Sequence, residues 1–235
     1  MLALFLQAVS GWAWGEAMPN ITFEAEPAPL SVELDRAALL IIDMQRDFLD
    51  PGGFGAALGN DVSRLQAAVG PSRQVLGAAR RGDTREGHRP DLSDAPRHKV
   101  ERGDPANRIG ARGPMGRILV RGEPGHDIIP ELYPLKDEPV IDKPGKGSFC
   151  ATDLELIMHT RGIQNLVLTG ITTDVCVHTT MREANDRGYE CLLLSDCTGA
   201  TEYGNYLAAL EMVKMQGGVF GAVAPSAAFL AALGA

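Results

Sequence analysis

Three residues of this chain have side chains suited to be a nucleophile, a base and a cation: Cys176, Asp43 and Lys143. Cys176 lies in "GITTDVCVHTT" (170–180), between the apolar run "NLVLTG" (165–170) and a helix-like stretch. A thiol at a helix start meets unpaired backbone N–H groups and the positive end of the helix dipole, which favour the thiolate. Free cysteine has a pKa of about 8.5, so activation also needs a neighbouring base or cation. Asp43 ends "AALLIID" and is suited to the first role; Lys143 ends "EPVIDK" and is suited to the second. Each also has a plainer reading. Cys176 can be a small buried hydrophobe, Asp43 a helix cap and Lys143 a surface lysine. The three are far apart in the chain, so spacing alone does not choose.

The elements around them alternate. Residues 37–43 read as a strand covered on both faces, and 61–81 as a helix interrupted at Gly70–Pro71. Residues 82–127 are rich in Gly, Pro and Arg and predict a long loop, relieved by "RILV" (117–120). Strands follow at 138–143, 165–170, 189–196 and 219–223, with helices at 152–162, 173–188 and 203–218 and a last one in "SAAFLAALGA". Thr152 and Glu155 have the spacing of a capping box. This pattern predicts an α/β fold, a three-layer sandwich around a mostly parallel sheet. Parallel sheets place their sites at the carboxyl ends of strands, where Asp43 and Cys176 both fall.

The chain has 235 residues, 45% of them hydrophobic and 22% charged, which suits one domain with a large core. A net charge of −8 argues against nucleic acid or an acidic membrane as a partner. Cysteines at 150, 176, 191 and 197 have neither metal-site pairing nor the density of a disulfide scaffold, so a reducing, cytoplasmic setting is expected. Residues 1–17, "MLALFLQAVSGWAWGEA", are apolar but lack the cations of a secretory signal, and they fall short of the roughly 20 apolar residues of a spanning helix. They read as a leader of doubtful status, with Met18 as an alternative start and 18–235 as a single domain.

Three segments carry a resemblance. "LLIIDMQRDFLDPGG", "VIDKPGKGSF" and "LVLTGITTDVCVHTTMREANDRGYECLLLSDCTGAT" resemble the isochorismatase-like cysteine hydrolases, in family order, over about residues 37–226. The resemblance implies a six-stranded parallel sheet, a Cys176–Asp43–Lys143 triad and a cis peptide at Ile171–Thr172. It also implies backbone N–H groups of Thr172 and Cys176 as an oxyanion hole, and a dimer or tetramer. "TREGHRPDLSD", "GKGSFCATDLE" and "MVKMQGGVFG" are further similar to the biuret-cleaving branch. That likeness implies substrate contacts at Phe48, Lys146 and Gln216, and hydrolysis of a small ureide, biuret to allophanate and ammonia, through a thioester. Another ureide or carbamoyl amide, of the ureidoacrylate type, is the alternative. No cofactor and no metal are expected. The metal-binding branch carries an Asp-x-His triplet after its second strand, and this chain has "DTREGHRPDLSDAPRHK" there, with only His88 and His98.

The chain departs from the family before Thr84. Family members have an apolar second strand there, inside the sheet beside the first; here Ala79–Asp83 runs directly into Thr84. Without it, ladder groups of residues 37–43 lose their partners, at about 1–3 kcal/mol per buried group. The second strand is therefore expected to be lost or altered. Either "QVLGAA" moves into the gap, the helix shortens, or the chain folds poorly and is a catalytically impaired relative acting as an assembly subunit.

Overall fold

The structure is a computed structural model that describes residues 2–8, 20–57, 61–82 and 118–235. In chain order the strands and helices begin with β1 (Leu2–Ala8), β2 (Asn20–Phe23), β3 (Leu30–Glu33) and β4 (Ala37–Ile42). Four helices follow: α1 (Arg46–Leu49), α2 (Phe54–Ala57), α3 (Ser63–Gln66) and α4 (Val69–Gly82). Then come β5 (Val140–Lys143), α5 (Leu154–Thr160), β6 (Asn165–Ile171) and, after a π-helical turn at Thr173–Val177, α6 (His178–Asn185). The chain closes with β7 (Glu190–Gly199), α7 (Tyr203–Gly218), β8 (Ala222–Ala224) and α8 (Ser226–Ala232).

The central sheet has the order β5-β1-β4-β6-β7-β8. Strands β4, β6, β7 and β8 run parallel, and β1 is antiparallel to both β4 and β5. Because side chains alternate along a strand, a sheet covered on both sides needs apolar residues at every position. β4 meets that demand. Leu39 and Ile41 enter a core shared with α3, α4 and α8, while Ala38, Leu40 and Ile42 enter a second core with α5, α6 and α7. β6 and β7 divide in the same way, Val167 and Leu192 to the first core, Leu168 and Leu193 to the second. The result is the expected three-layer α/β sandwich.

The gap is closed by a segment other than the one anticipated. "QVLGAA" stays within α4, whose Val75, Leu76 and Ala79 pack in the first core. The place beside β4 is taken by β1, from residues read as a leader, in register Leu4↔Ile42 to Ala8↔Ala38. The second strand is thus replaced by an antiparallel one, and the sheet around it is six-stranded but not wholly parallel. The Asp83–Thr84 junction, the "TREGH" segment and Met18 lie outside the described residues.

Two local expectations are corrected. Pro71 does not interrupt α4, because it stands in the first turn, where a missing N–H costs no helical hydrogen bond. The Thr152–Glu155 box does not form: Asp153 is the N-cap, Thr152 Oγ1 donates to the Ser148 carbonyl, and Glu155 pairs with Arg187 at 3.1 Å. Among the described residues no helix is long and apolar enough to cross a membrane.

Candidate active site

Asp43 follows the last residue of β4 and has φ +54°, a left-handed backbone that aspartate tolerates better than most residues. The Gln45 N–H donates to the Asp43 carbonyl at 2.8 Å, closing a tight turn that holds this conformation. Lys143 is the last residue of β5, and Cys176 sits in the π turn that leads β6 into α6. Three chain segments therefore deliver the three side chains to the carboxyl edge of the sheet. Gly170 permits the closest approach: a Cβ there would lie 2.1 Å from the Ile42 carbonyl oxygen, and its φ is +107°.

Lys143 Nζ donates to Asp43 Oδ2 at 3.0 Å and to the Lys146 carbonyl at 2.8 Å, and both charged side chains are wholly buried. Asp43 Oδ1 is buried without a hydrogen-bond partner of full geometry, although the Cys176 thiol interacts with the same carboxylate. Burial raises the Asp43 pKa, opposed by the Lys143 charge. Burial also pushes the Cys176 thiol far up, reinforced by the negative charge of Asp43, while Lys143 and Lys146 pull it down. Burial thus opposes ionisation of the thiol and works against the pull of its place at a helix start. Removing the site from water outweighs a helix-end partial charge that amounts to about half an elementary unit.

The flanking residues fix this arrangement. Thr180 Oγ1 donates to the Cys176 carbonyl at 2.7 Å and accepts from the Ser148 N–H at 3.1 Å, tying the Cys176 turn to the loop after Lys143. Glu183 accepts the Phe149 N–H at 3.1 Å, and a Cβ on Gly147 would strike its carboxylate. Positions 176, 180 and 183 share one helical face, a spacing visible in the sequence. Asp142, next to Lys143, pairs with Arg121 and lies 3.8 Å from His126. His126 is held below its usual pKa chiefly by burial. No sequence signal singled out these three.

The three proposed substrate contacts fare differently. Lys146 is half-buried and close enough for its charge to act on the thiol. Phe48 is half-buried and packs against both cores. Gln216 is exposed at a break in α7, where it and Gly217 have left-handed φ of +53° and +82°, and no hydrogen bond or ion pair among the described residues joins it to the triad. The Ile171–Thr172 peptide is cis. Among the described residues no group of three His, Cys, Asp or Glu side chains is placed to hold a metal ion; His88 and His98 are outside them.

Known proteins share this arrangement of elements. The chain is 29% identical over 204 residues to the ureidoacrylate amidohydrolase RutB of Stutzerimonas stutzeri (strain A1501), covering 82% of each chain. It is 31% identical over 185 residues to the protein of the same name from Azorhizobium caulinodans, covering 74% of this chain and 81% of that one. Among solved structures, a cysteine hydrolase from Pseudomonas syringae pv. phaseolicola 1448A superposes with a TM-score of 0.65 at 25% identity, over 93% of this chain and 99% of the other. An isochorismatase-like hydrolase from Alkaliphilus metalliredigens gives 0.61 at 27% identity, over 84% and 95%. The Isochorismatase domain family matches residues 37–225, which take in Asp43, Lys143 and Cys176, and the chain belongs to that family.

Proposed function

We propose that this protein is a cysteine amidohydrolase that cleaves a terminal C–N bond of a small ureide. The observation that carries the reading is the buried Lys143–Asp43 ion pair beside the Cys176 thiol. Ion pairs are costly to bury, and one set against a nucleophilic side chain at the carboxyl edge of a parallel sheet fits catalysis better than stability.

In this reading Asp43 takes the thiol proton as the sulfur bonds to the substrate carbonyl carbon. Backbone N–H groups of Thr172 and Cys176 hold the resulting oxyanion, a donor of this kind being worth about 3–4 kcal/mol. The C–N bond breaks, and ammonia leaves with the proton returned from Asp43. Water then attacks the thioester while Asp43 accepts its proton, and the departing sulfur takes that proton back. The raised pKa of the buried carboxylate suits it to both directions of transfer. Net consumption is one water per ammonia and acid released. No cofactor enters the scheme.

Biuret, giving allophanate and ammonia, is the first substrate of this reading, with Phe48 as an apolar wall, Lys146 donating to a carbonyl and Gln216 offering donor and acceptor. The relatives named ureidoacrylate amidohydrolase favour a second: a carbamoyl amide bearing a carboxylate. Lys146 discriminates them, since its ammonium is worth more against a carboxylate than a neutral carbonyl. The decisive experiment is ammonia release from biuret, ureidoacrylate and related ureides, with mass spectrometry of the protein during turnover. An acyl adduct at Cys176 and silence of Cys176→Ser are expected; turnover without an adduct, or an active serine variant, defeats the reading. A dimer or tetramer in the cytoplasm belongs to the same proposal, and α7 exposes Tyr203, Leu207, Met212 and Met215 for such assembly. The rival reading, an impaired assembly subunit, predicts no ammonia from any member of the panel; the presence of β1 in the gap speaks for a complete sheet.

A further inference from the structure

Among the described residues β5 has one neighbour in the sheet, and that neighbour is β1. Lys143 is paired with Leu2, and Leu4 is paired on one side with Ile141 and on the other with Ile42, the residue before Asp43. Adjacent strands lie about 4.7–4.9 Å apart, so β1 holds β5 at roughly twice that distance from β4. The Lys143 and Asp43 side chains together bridge this width, meeting at 3.0 Å between Nζ and Oδ2. With the interval empty β5 would have no ladder partner, and zipped directly onto β4 it would bring Lys143 in from half the distance. "LALFLQA" suits the place, with apolar residues at six of its seven positions, as a strand covered on both faces requires.

We propose that Leu2–Ala8 is a positioning strand for the reaction, an antiparallel spacer whose amino end sets Lys143 against Asp43 and so tunes the Cys176 nucleophile. The inference rests on the reading of Cys176 as the nucleophile. It assigns to the apolar leader a direct part in the geometry of the site.

Two proline variants test it as a pair, because each fixes φ and places a ring at one end of the same strand. Leu2→Pro disturbs the pairing with Lys143; Ala8→Pro disturbs the end opposite Ala38, away from the site. Leu2→Pro is expected to lower kcat for ammonia release about a hundredfold with little change in KM, the loss that a displacement of about 1 Å brings. Its Cys176 should also react more slowly with iodoacetamide at a given pH, because Lys143 no longer draws the thiol toward ionisation. Ala8→Pro is expected to change kcat less than about threefold. Deletion of residues 2–8 should reproduce the Leu2→Pro profile, and a peptide of sequence LALFLQA fused to a lysine tag should restore it in trans. Equal effects of the two proline variants on kcat and alkylation overturn the proposal, as does a deleted chain with the parent's kcat and alkylation profile. If the parent chain releases ammonia from no ureide, the amidohydrolase reading fails alone. The alkylation profiles then still decide the positioning role.

Discussion

Asp43→Asn separates the stability of the buried pair from its chemistry. The substitution keeps the side chain's shape and removes its charge, leaving the Lys143 ammonium wholly buried with only neutral acceptors, the Lys146 carbonyl at 2.8 Å and the new amide oxygen. Stranding one member of a buried ion pair costs about 3–5 kcal/mol. For a domain of this size each kcal/mol lowers Tm by about 2–4 °C, so a fall of roughly 6–20 °C is expected by calorimetry. The double variant Asp43→Asn with Lys143→Met removes both charges and should recover most of that loss. The thiol responds in the opposite sense. Asp43 raises the Cys176 pKa by its charge and by hydrogen bonding, whereas Lys143 lowers it. With the carboxylate gone and the ammonium retained, iodoacetamide should label Cys176 at pH 8 about tenfold faster than in the parent. Ammonia release should nevertheless fall about 100- to 10,000-fold, because the proton has lost its acceptor. A less stable protein with a more reactive sulfur and almost no turnover is a combination that simple misfolding does not produce. The reasoning is refuted by a variant with unchanged alkylation and a Tm within about 2 °C of the parent.

Three other perturbations follow from the same coordinates. Burial raises the thiols of Cys176, Cys191 and Cys197 above the ordinary thiol value of about 9, so above that pH the unfolded chain loses protons the folded chain keeps. Stability is therefore intact below pH 9 and falls above it, by up to about 1.4 kcal/mol per pH unit for each thiol; urea melts between pH 8 and 11 measure the slope, which Cys191→Ala should reduce. Gly170→Ala places a methyl 2.1 Å from the Ile42 carbonyl at a φ of +107° and should destabilise by about 4 kcal/mol or more, read as insoluble expression or a collapsed melt. Thr180→Val removes the hydroxyl that serves Ser148 N–H and the Cys176 carbonyl, costing about 1–3 kcal/mol in denaturant melts and lowering kcat while KM stays near that of the parent.

The parallel core was legible because β4, β6 and β7 are apolar at consecutive positions, a demand that a doubly covered sheet makes on sequence alone. Asp43 and Cys176 could be placed at strand ends for the same reason. β1 was not legible in that way. A seven-residue apolar run near the start of a chain has the length and composition of a leader as well as of a strand, and only its partners distinguish them. Those partners, Ala38–Ile42 and Val140–Lys143, are distant in sequence, so nothing local to residues 2–8 points to them. The burial of Cys176 was not legible for a different cause. Sequence shows that a residue begins a helix but not how deeply the turn is buried, and here depth decides. Gln216 stands in "MQGG", whose two glycines mark a break that a helical reading of 203–218 passes over.

A protonated sulfur is compatible with the proposed chemistry because of how charge is conserved among the three groups. At rest the buried site holds a carboxylate, an ammonium and a thiol, with net charge zero. Moving the proton from Cys176 to Asp43 leaves a carboxylic acid, an ammonium and a thiolate, and the net charge is again zero. The transfer creates no new buried charge; it relocates one negative charge from oxygen to sulfur while Lys143 stays to balance it. Burial raises the pKa of both partners, so its penalty acts on the donor and the acceptor alike. Lys143 is the member that keeps both states neutral. Without its charge either state would place an uncompensated anion in a buried site.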